Sequence, residues 1–317
     1  MDAVVLVGGY GTRLRPLTLT RPKHVLPLFD RPLLGYLLEQ VRRAGVERVV
    51  LSCGYLPDPI RAAFGDGTAV GLHLDYAVER EPLGTAGAIR FAAEQAGVRG
   101  TFLALNGDIL SDIDLGALVE RHEAAGACAS IALTPVDDPG RYGLVRTDGD
   151  GRVLGFVEKP PPSEIDTDLI NAGAYVLGPS ALASVEPGRA MSIEREVFPL
   201  LAGHGLHAWR CEGYWSDVGT PASYLQAHQD VLSGALRTHI EPASSWVGPG
   251  ARIAPDARIG GGSSIGPGAT VGKSRIEGAV VQEGAVVGDG CLLRDAIVGP
   301  GAVVTDGSVL TDLAIVV

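Results

Sequence analysis

The sequence predicts an α/β chain in two parts: an open, doubly wound sheet within residues 1–232, and a parallel β-helix over residues 246–317, with a linker at 233–245. Three observations carry this. Residues 3–7 are apolar, three of them β-branched, and run into Gly8, Gly9 and Gly11, so a short buried strand enters a tight loop. Strand-like and helix-like stretches then alternate as far as residue 106, the pattern of βαβ units. From Val247 onward, aliphatic residues recur at steps of six, many followed by glycine and with Ala or Ser four positions on, which is the hexapeptide repeat of a β-helix.

Each element has a local reason. Pro32 and Gly45 bracket a helical stretch at 33–44. A second strand is expected at 46–52, a short helix at 57–64 and a third strand at 72–78. Thr85 is placed to cap a helix over 86–96. Residues 101–106 read as a continuous apolar strand, as in a buried parallel sheet. A helix at 115–124 then precedes strands near 127–133, 143–146, 152–157 and 170–177. Pro135, Pro139, the turn at 148–151 and the prolines at 160–162 punctuate them, which suggests a β-rich lobe beside the parallel sheet. Ser192 starts another helix with Glu194 and Glu196 in its first turns, suited to the positive helix end. A strand at 206–211 follows, and Thr220-Pro221 opens a helix to about 232.

In the tail, Val247, Ile253, Ile259, Ile265 and Val271 are spaced by six. So are Val281, Val287 and Leu293, and then Val298, Val304, Leu310 and Val316. Five-residue steps fall near Ile276 and between Leu293 and Val298. Three hexapeptides make one triangular coil, with each aliphatic pointing inward. The repeat resembles that of left-handed β-helix domains.

A net charge of −11 argues against nucleic acid or an anionic membrane surface as partner, so any phosphate site must be a local positive pocket. No window approaches 18 uninterrupted apolar residues, and the N-terminus lacks the pattern of a signal peptide. Cys53, Cys128, Cys211 and Cys291 are far apart and carry no metal-ligand spacing, which suggests reduced core thiols in a cytoplasmic protein. Among 26 basic residues the lysines are only Lys23, Lys159 and Lys273, and the asparagines are only Asn106 and Asn171. A compact ammonium is not replaced by a guanidinium at every site, so these positions become candidates.

The glycine loop offers backbone amides, and Arg13, Arg15 and Lys23 offer charge, which together suit a polyphosphate. It is not a Walker A loop, and Leu14 stands where the dinucleotide fingerprint needs its third glycine. No Ser/His/Asp or Cys/His arrangement suggests a nucleophile. By itself the loop reads equally as a plain strand-to-helix turn.

Further motifs decide between these readings. Gly8-Gly9-x-Gly11-Thr12-Arg13-Leu14-Arg15-Pro16-Leu17-Thr18, Pro22-Lys23, Leu105-Asn106-Gly107-Asp108, Phe156-Val157-Glu158-Lys159-Pro160, Asn171-Ala172-Gly173 and Trp215-Ser216-Asp217-Val218-Gly219-Thr220-Pro221 occur in that order. Over about residues 2–230 they resemble the sugar-1-phosphate nucleotidyltransferases. The resemblance implies a Rossmann-like mixed sheet, followed here by a left-handed β-helix. The implied activity is transfer of a nucleotidyl group from an NTP to a sugar 1-phosphate, with Mg²⁺ as cofactor.

It also implies roles. Arg13, Lys23 and Asp108 are the catalytic candidates. Leu6, Gly8, Gly9, Gly11, Thr12, Arg13, Lys23, Pro82, Gly84, Thr85, Gly107 and Asp108 would bind the nucleotide. Tyr142, Gly143, Glu158, Lys159, Asn171 and Trp215 would bind the sugar phosphate, with Tyr175 a further aromatic candidate, and Asp108 and Asp217 the metal. His24 and Val7 depart from the commoner proline and alanine of the family.

Residues 81–87 contain Gly-Thr-Ala-Gly, a form most like that of mannose-1-phosphate guanylyltransferases. Thymidylyl and uridylyl members more often carry glutamine where Gly87 stands, so Gly87 suggests room for a purine. GTP with mannose 1-phosphate is the expected pair. The alternatives are thymidylyl, uridylyl or adenylyl transfer to glucose 1-phosphate or a related sugar or cyclitol phosphate. A non-catalytic, sugar-nucleotide-binding regulatory subunit would be expected to lose Arg13, Lys23, Asp108 or Asp217, and all four are present. Acyl transfer by the β-helix would need a histidine base, and none of the seven histidines lies within 246–317. The tail is therefore expected to be structural or to build a homo-oligomer, with the apolar residues 314–317 in a subunit contact.

Overall fold

The computed structural model describes residues 1–54 and 57–317. The chain divides into two compact units, one of residues 1–9, 37–109 and 113–215, the other of residues 10–36, 110–112 and 216–317.

The first unit is built on a nine-stranded mixed sheet. Its order is Val153–Glu158, Gly143–Thr147, Leu169–Leu177, Phe102–Asn106, Asp2–Leu6, Arg48–Cys53 and His73–Val78. Ala129–Pro135 also pairs with Leu169–Leu177, and Leu206–Arg210 with Ala129–Pro135. Four neighbouring strands, from Phe102–Asn106 to His73–Val78, are parallel. The helix Gly84–Gln95 packs on Asp2–Leu6, Arg48–Cys53 and His73–Val78 with Ile89 and with Ala86, Ala88 and Ala92, whose small side chains let a helix lie close on a sheet. The strands Ala129–Pro135, Gly143–Thr147, Val153–Glu158, Leu169–Leu177 and Leu206–Arg210 do not form a separate lobe. Leu169–Leu177 pairs antiparallel with Phe102–Asn106, Ala174 opposite Leu105, so they extend the same sheet. A nine-residue strand has room to pair along both edges: Gly143–Thr147 continues the edge that Phe102–Asn106 occupies, and Ala129–Pro135 takes the other.

Local boundaries moved for identifiable reasons. Pro32 pairs with Pro27 in a two-residue hairpin, and the helix begins at Leu33. Thr85 lies inside the first turn of its helix instead of capping it. Ser192 does cap, accepting from the Arg195 amide, but the turn Ile193–Val197 is widened and gives way to the four-residue helix Phe198–Leu201. Pro199, which has no N–H to donate, sits in that last turn. The four cysteines are free, with Cys53 and Cys291 buried and Cys128 and Cys211 half-buried. Burial pushes the Cys53 thiol up to about 12.

In the second unit, three all-parallel sheets form the faces of a β-helix. Val247, Ile265, Val281, Val298 and Val316 stack in one. Ile253, Val271, Val287 and Val304 stack in the next, and Ile259, Ile276, Leu293 and Leu310 in the third. The five-residue steps at Ile276 therefore keep the register. From Ile265 to Val304 these aliphatics are almost fully buried. Val247, in the first coil and in register with Ile265, is nevertheless 47% exposed, because that coil has a stacked neighbour on one side only. The helix Pro221–Ser233 starts with a capping box between Thr220 and Ser223. Among the described residues no helix is long and apolar enough to cross a membrane.

Candidate active site

In the first unit the site begins where the strand order reverses. From Asp2–Leu6 the sheet continues on one side to Arg48–Cys53 and on the other to Phe102–Asn106. Ligands of open α/β sheets bind beyond the carboxyl ends of strands at such a point. Leu6 pairs with Asn106, and the Gly107 amide donates to the Leu6 carbonyl at 2.9 Å. Gly8 and Gly9, beyond one strand, and Asp108, beyond the next, thus leave the sheet at the same edge. Gly9, at φ 99°, takes a conformation that side chains rarely adopt. Asp108 is half-buried and Gly9 exposed.

Both asparagines of the chain meet at Gly173. The Asn171 side-chain oxygen accepts the Gly173 amide at 3.0 Å. A Cβ on Gly173 would stand 2.8 Å from the Asn106 Nδ2.

The segment carrying Pro82, Gly84 and Thr85 is fixed by residues 191–194. The Ala86 amide donates to the Met191 carbonyl at 2.9 Å, and the Met191 amide to the Leu83 carbonyl at 2.9 Å. The Thr85 hydroxyl donates to Glu194 Oε2 at 2.7 Å and accepts the Ile193 amide at 2.8 Å. Gly87 does not leave room for a base. A Cβ there would come within 2.5 Å of the Arg189 carbonyl, so glycine is required by backbone packing. Pro82 and Gly84 are exposed.

Glu194 is a residue the sequence reading placed only as a helix-end charge. Its Oε2 also accepts the Ser192 hydroxyl at 2.8 Å, and its Oε1 lies 3.5 Å from the Tyr175 hydroxyl. That hydroxyl accepts from Asn171 Nδ2 at 2.9 Å. Tyr175 is fully buried, so it serves the core and Asn171 and does not face a ligand.

The other sugar-side candidates come together. Glu158 and Gly143 are opposite each other on antiparallel strands, and a Cβ on Gly143 would lie 2.8 Å from Glu158 Oε2. The Lys159 amide donates to the Tyr142 carbonyl at 3.0 Å, with Lys159 exposed and at φ 51°. The Tyr142 and Trp215 rings meet edge to face at 5.3 Å, and Trp215 Nε1 donates to the Ala172 carbonyl at 2.9 Å, beside Asn171. Burial raises the Glu158 carboxyl above its ordinary range and the Glu194 charge raises it further, while Lys159 and Arg195 act the other way.

In the second unit the loop continues through Gly11, at φ 59°, into the turn Thr12–Leu14. The Thr18 hydroxyl closes it, donating to the Gly11 carbonyl at 2.7 Å. Arg13 is exposed, and its Nη2 lies 3.7 Å from Asp217 Oδ2. A pair so open adds little stability. Gly219 passes beneath this pair: a Cβ there would be 2.6 Å from Arg13 Nη2 and 2.8 Å from Asp217 Oδ1. Lys23, half-buried, opens the turn Lys23–Val25 after Pro22. His24 and Val7, the two departures from the family pattern, are both buried.

Comparison with known proteins agrees with this arrangement. The family model described as nucleotidyl transferase matches residues 2–234. A mannose-1-phosphate guanylyltransferase of Mycobacterium tuberculosis is 43% identical over 249 residues, 75% of this chain and 68% of that protein. Mannose-1-phosphate guanyltransferases of Aspergillus fumigatus and Schizosaccharomyces pombe are 41% and 39% identical, covering 71% and 77% of this chain and 62% and 69% of theirs. The chain thus spans between 62% and 69% of the length of these relatives. Among solved structures, HddC of Yersinia pseudotuberculosis has a TM-score of 0.61 at 31% identity, covering 71% of this chain and 97% of that one. A Bacillus anthracis protein assigned as a glucose-1-phosphate thymidylyltransferase has a TM-score of 0.67 at 23% identity, covering 76% and 98%, and supports the fold alone. The chain belongs to the nucleotidyl transferase family.

Proposed function

We propose that the chain transfers a guanylyl group from GTP to mannose 1-phosphate, giving GDP-mannose and pyrophosphate. The observation that carries the choice of substrates is the shared name of three relatives, from a bacterium and two fungi, at 39% to 43% identity. It does not rest on space beside Gly87. In this reading residues 1–232 are the catalytic domain, 233–245 a linker and 246–317 the β-helix.

A phosphate oxygen of the sugar 1-phosphate attacks the α-phosphorus of GTP. The bond from that phosphorus to the α,β-bridging oxygen breaks, and pyrophosphate leaves in line. The protein has to align two polyanions and neutralise developing charge. Leu6, Gly8, Gly9, Gly11 and Thr12 hold the nucleotide through the loop. Pro82, Gly84, Thr85 and Gly107 border its base and ribose. Arg13, oriented by Asp217, stabilises the leaving pyrophosphate, and Lys23 reaches the α-phosphate or the pyrophosphate. Glu158, Asn171 and Gly143 bond the sugar hydroxyls, Tyr142 and Trp215 pack on the ring, and Lys159 holds the sugar phosphate.

Asp108 and Asp217 are hard oxygen donors of the type Mg²⁺ prefers. Among the described residues no three His, Cys, Asp or Glu side chains group as a metal cage, so phosphate oxygens and water would complete the shell. When bound, Mg²⁺ supplies positive charge to the phosphates and fixes their geometry. The enzyme works in the cytoplasm and forms a homo-oligomer through the β-helix, with residues 314–317 in the contact. The test is a pyrophosphate-release assay crossing GTP, ATP, UTP and dTTP with mannose, glucose and other sugar 1-phosphates. GTP with mannose 1-phosphate should give the highest kcat/KM.

A further inference from the structure

Lys23 lies in a segment, residues 21–32, that is held at four points by residues 224–283 of the same compact unit. Both terminal nitrogens of Arg21 donate to Glu283 Oε1 at 3.3 Å. The Pro27 carbonyl accepts the Tyr224 hydroxyl, whose oxygen accepts Gln282 Nε2 at 2.9 Å. The Phe29 ring lies 4.9 Å from that of His228 and 5.4 Å, edge on, from that of Trp246. Asp30 bonds His239 at 2.8 Å.

Two of these ties are costly unless they serve a purpose. Gln282 is 3% exposed, and a buried amide destabilises a solenoid coil unless its hydrogen bonds are made. Here its donor goes to Tyr224, which is fully buried, and not to the coil. Phe29 has φ 61°, a left-handed conformation that a bulky residue keeps only where its surroundings overdetermine it. Trp246 and His228 supply those surroundings. A shift of Pro27 is passed to Lys23 through a closed turn, because the Leu26 amide donates to the Lys23 carbonyl at 3.0 Å and the Val25 amide to the Pro22 carbonyl at 3.1 Å.

We propose that the β-helix is a positioning element for nucleotide binding: Gln282, acting through Tyr224 on the Pro27 backbone, holds the Lys23 ammonium where the NTP phosphates are taken. This rests on the reading of Lys23 as a phosphate ligand. Gln282 and Tyr224 touch no substrate and act through the loop.

The test uses the full-length chain with GTP and mannose 1-phosphate varied separately, in Gln282→Met, Tyr224→Phe, Lys23→Ala and the Lys23→Ala/Gln282→Met double variant. Gln282→Met loses one hydrogen bond of this relay and Tyr224→Phe loses two, so KM for GTP should rise by about fivefold in the first and by at least as much in the second, with KM for mannose 1-phosphate unchanged. The double variant should match Lys23→Ala alone. A lowered Tm with both KM values unchanged in Gln282→Met and Tyr224→Phe would mean a purely structural contact and overturn the proposal. An unchanged KM for GTP in Lys23→Ala would overturn it differently, by removing the phosphate role of Lys23. Tyr224→Phe preserves volume in the core, so a failure of Gln282→Met to fold leaves the question answerable.

Discussion

Glu194 accepts the Thr85 hydroxyl at 2.7 Å across 109 positions of sequence. The contact joins the segment expected to read the base to a residue that also faces Tyr175, and through it Asn171 on the sugar side. Thr85→Val removes a donor to Glu194 and an acceptor for the Ile193 amide while keeping shape. Stability in urea should fall by about 1–3 kcal/mol, since buried partners are left unmade. A change below about 0.5 kcal/mol would show that the contact is not maintained in solution.

The charge of Glu194 also acts on Glu158. Glu158 must be ionised to accept sugar hydroxyls, and its carboxyl is raised above the ordinary carboxylate range, first by burial and then by Glu194. The acid limb of kcat/KM for the sugar phosphate should therefore lie above the ordinary carboxylate range. Glu194→Gln removes the second cause, so the limb should move to lower pH, with Lys159 and Arg195 still favouring the ionised form. A limb that stays in place or moves upward would rule out this coupling.

A side chain at Gly219 is expected to displace the Arg13–Asp217 pair while leaving the fold intact. A Cβ would enter the space of Arg13 Nη2 and Asp217 Oδ1, at 2.6 Å and 2.8 Å. Gly219→Ala should lower kcat by more than about tenfold, the scale of a misplaced charge-stabilising group, while circular dichroism stays native. Normal turnover would mean that the Arg13–Asp217 pair is not the arrangement that works.

Gly143→Ala presses on Phe156 Cζ at 2.7 Å and Glu158 Oε2 at 2.8 Å. KM for the sugar phosphate should rise about tenfold and KM for the NTP should not, as a small displacement of a positioning group allows. Equal effects on both substrates would place Glu158 elsewhere in the reaction.

The sequence was most legible where chemistry repeats. The hexapeptide spacing put Ile265, Val271 and Val281 in the β-helix core, and a period of six has no competing reading. Asp108 just past a buried strand was legible from the apolar run before it, whereas the pairing of Glu158 with Gly143 came only with the structure. What was not legible depended on distant backbone. Gly87 looked like vacated space because nothing local shows the Arg189 carbonyl behind it. Glu194 looked like a helix-end charge because Thr85 is far away in sequence. The strands after residue 106 looked like a lobe because periodicity gives strand content but not pairing partners.

The measurement that tests the central claim most directly is ³¹P NMR of the purified chain with GTP, mannose 1-phosphate and MgCl₂. The account predicts loss of the GTP γ signal with matched growth of pyrophosphate and of a sugar-linked diphosphate, and none of this in Asp108→Asn or Asp217→Asn proteins that remain folded. No GDP-mannose from the wild-type chain, or wild-type rates in either variant, would contradict it.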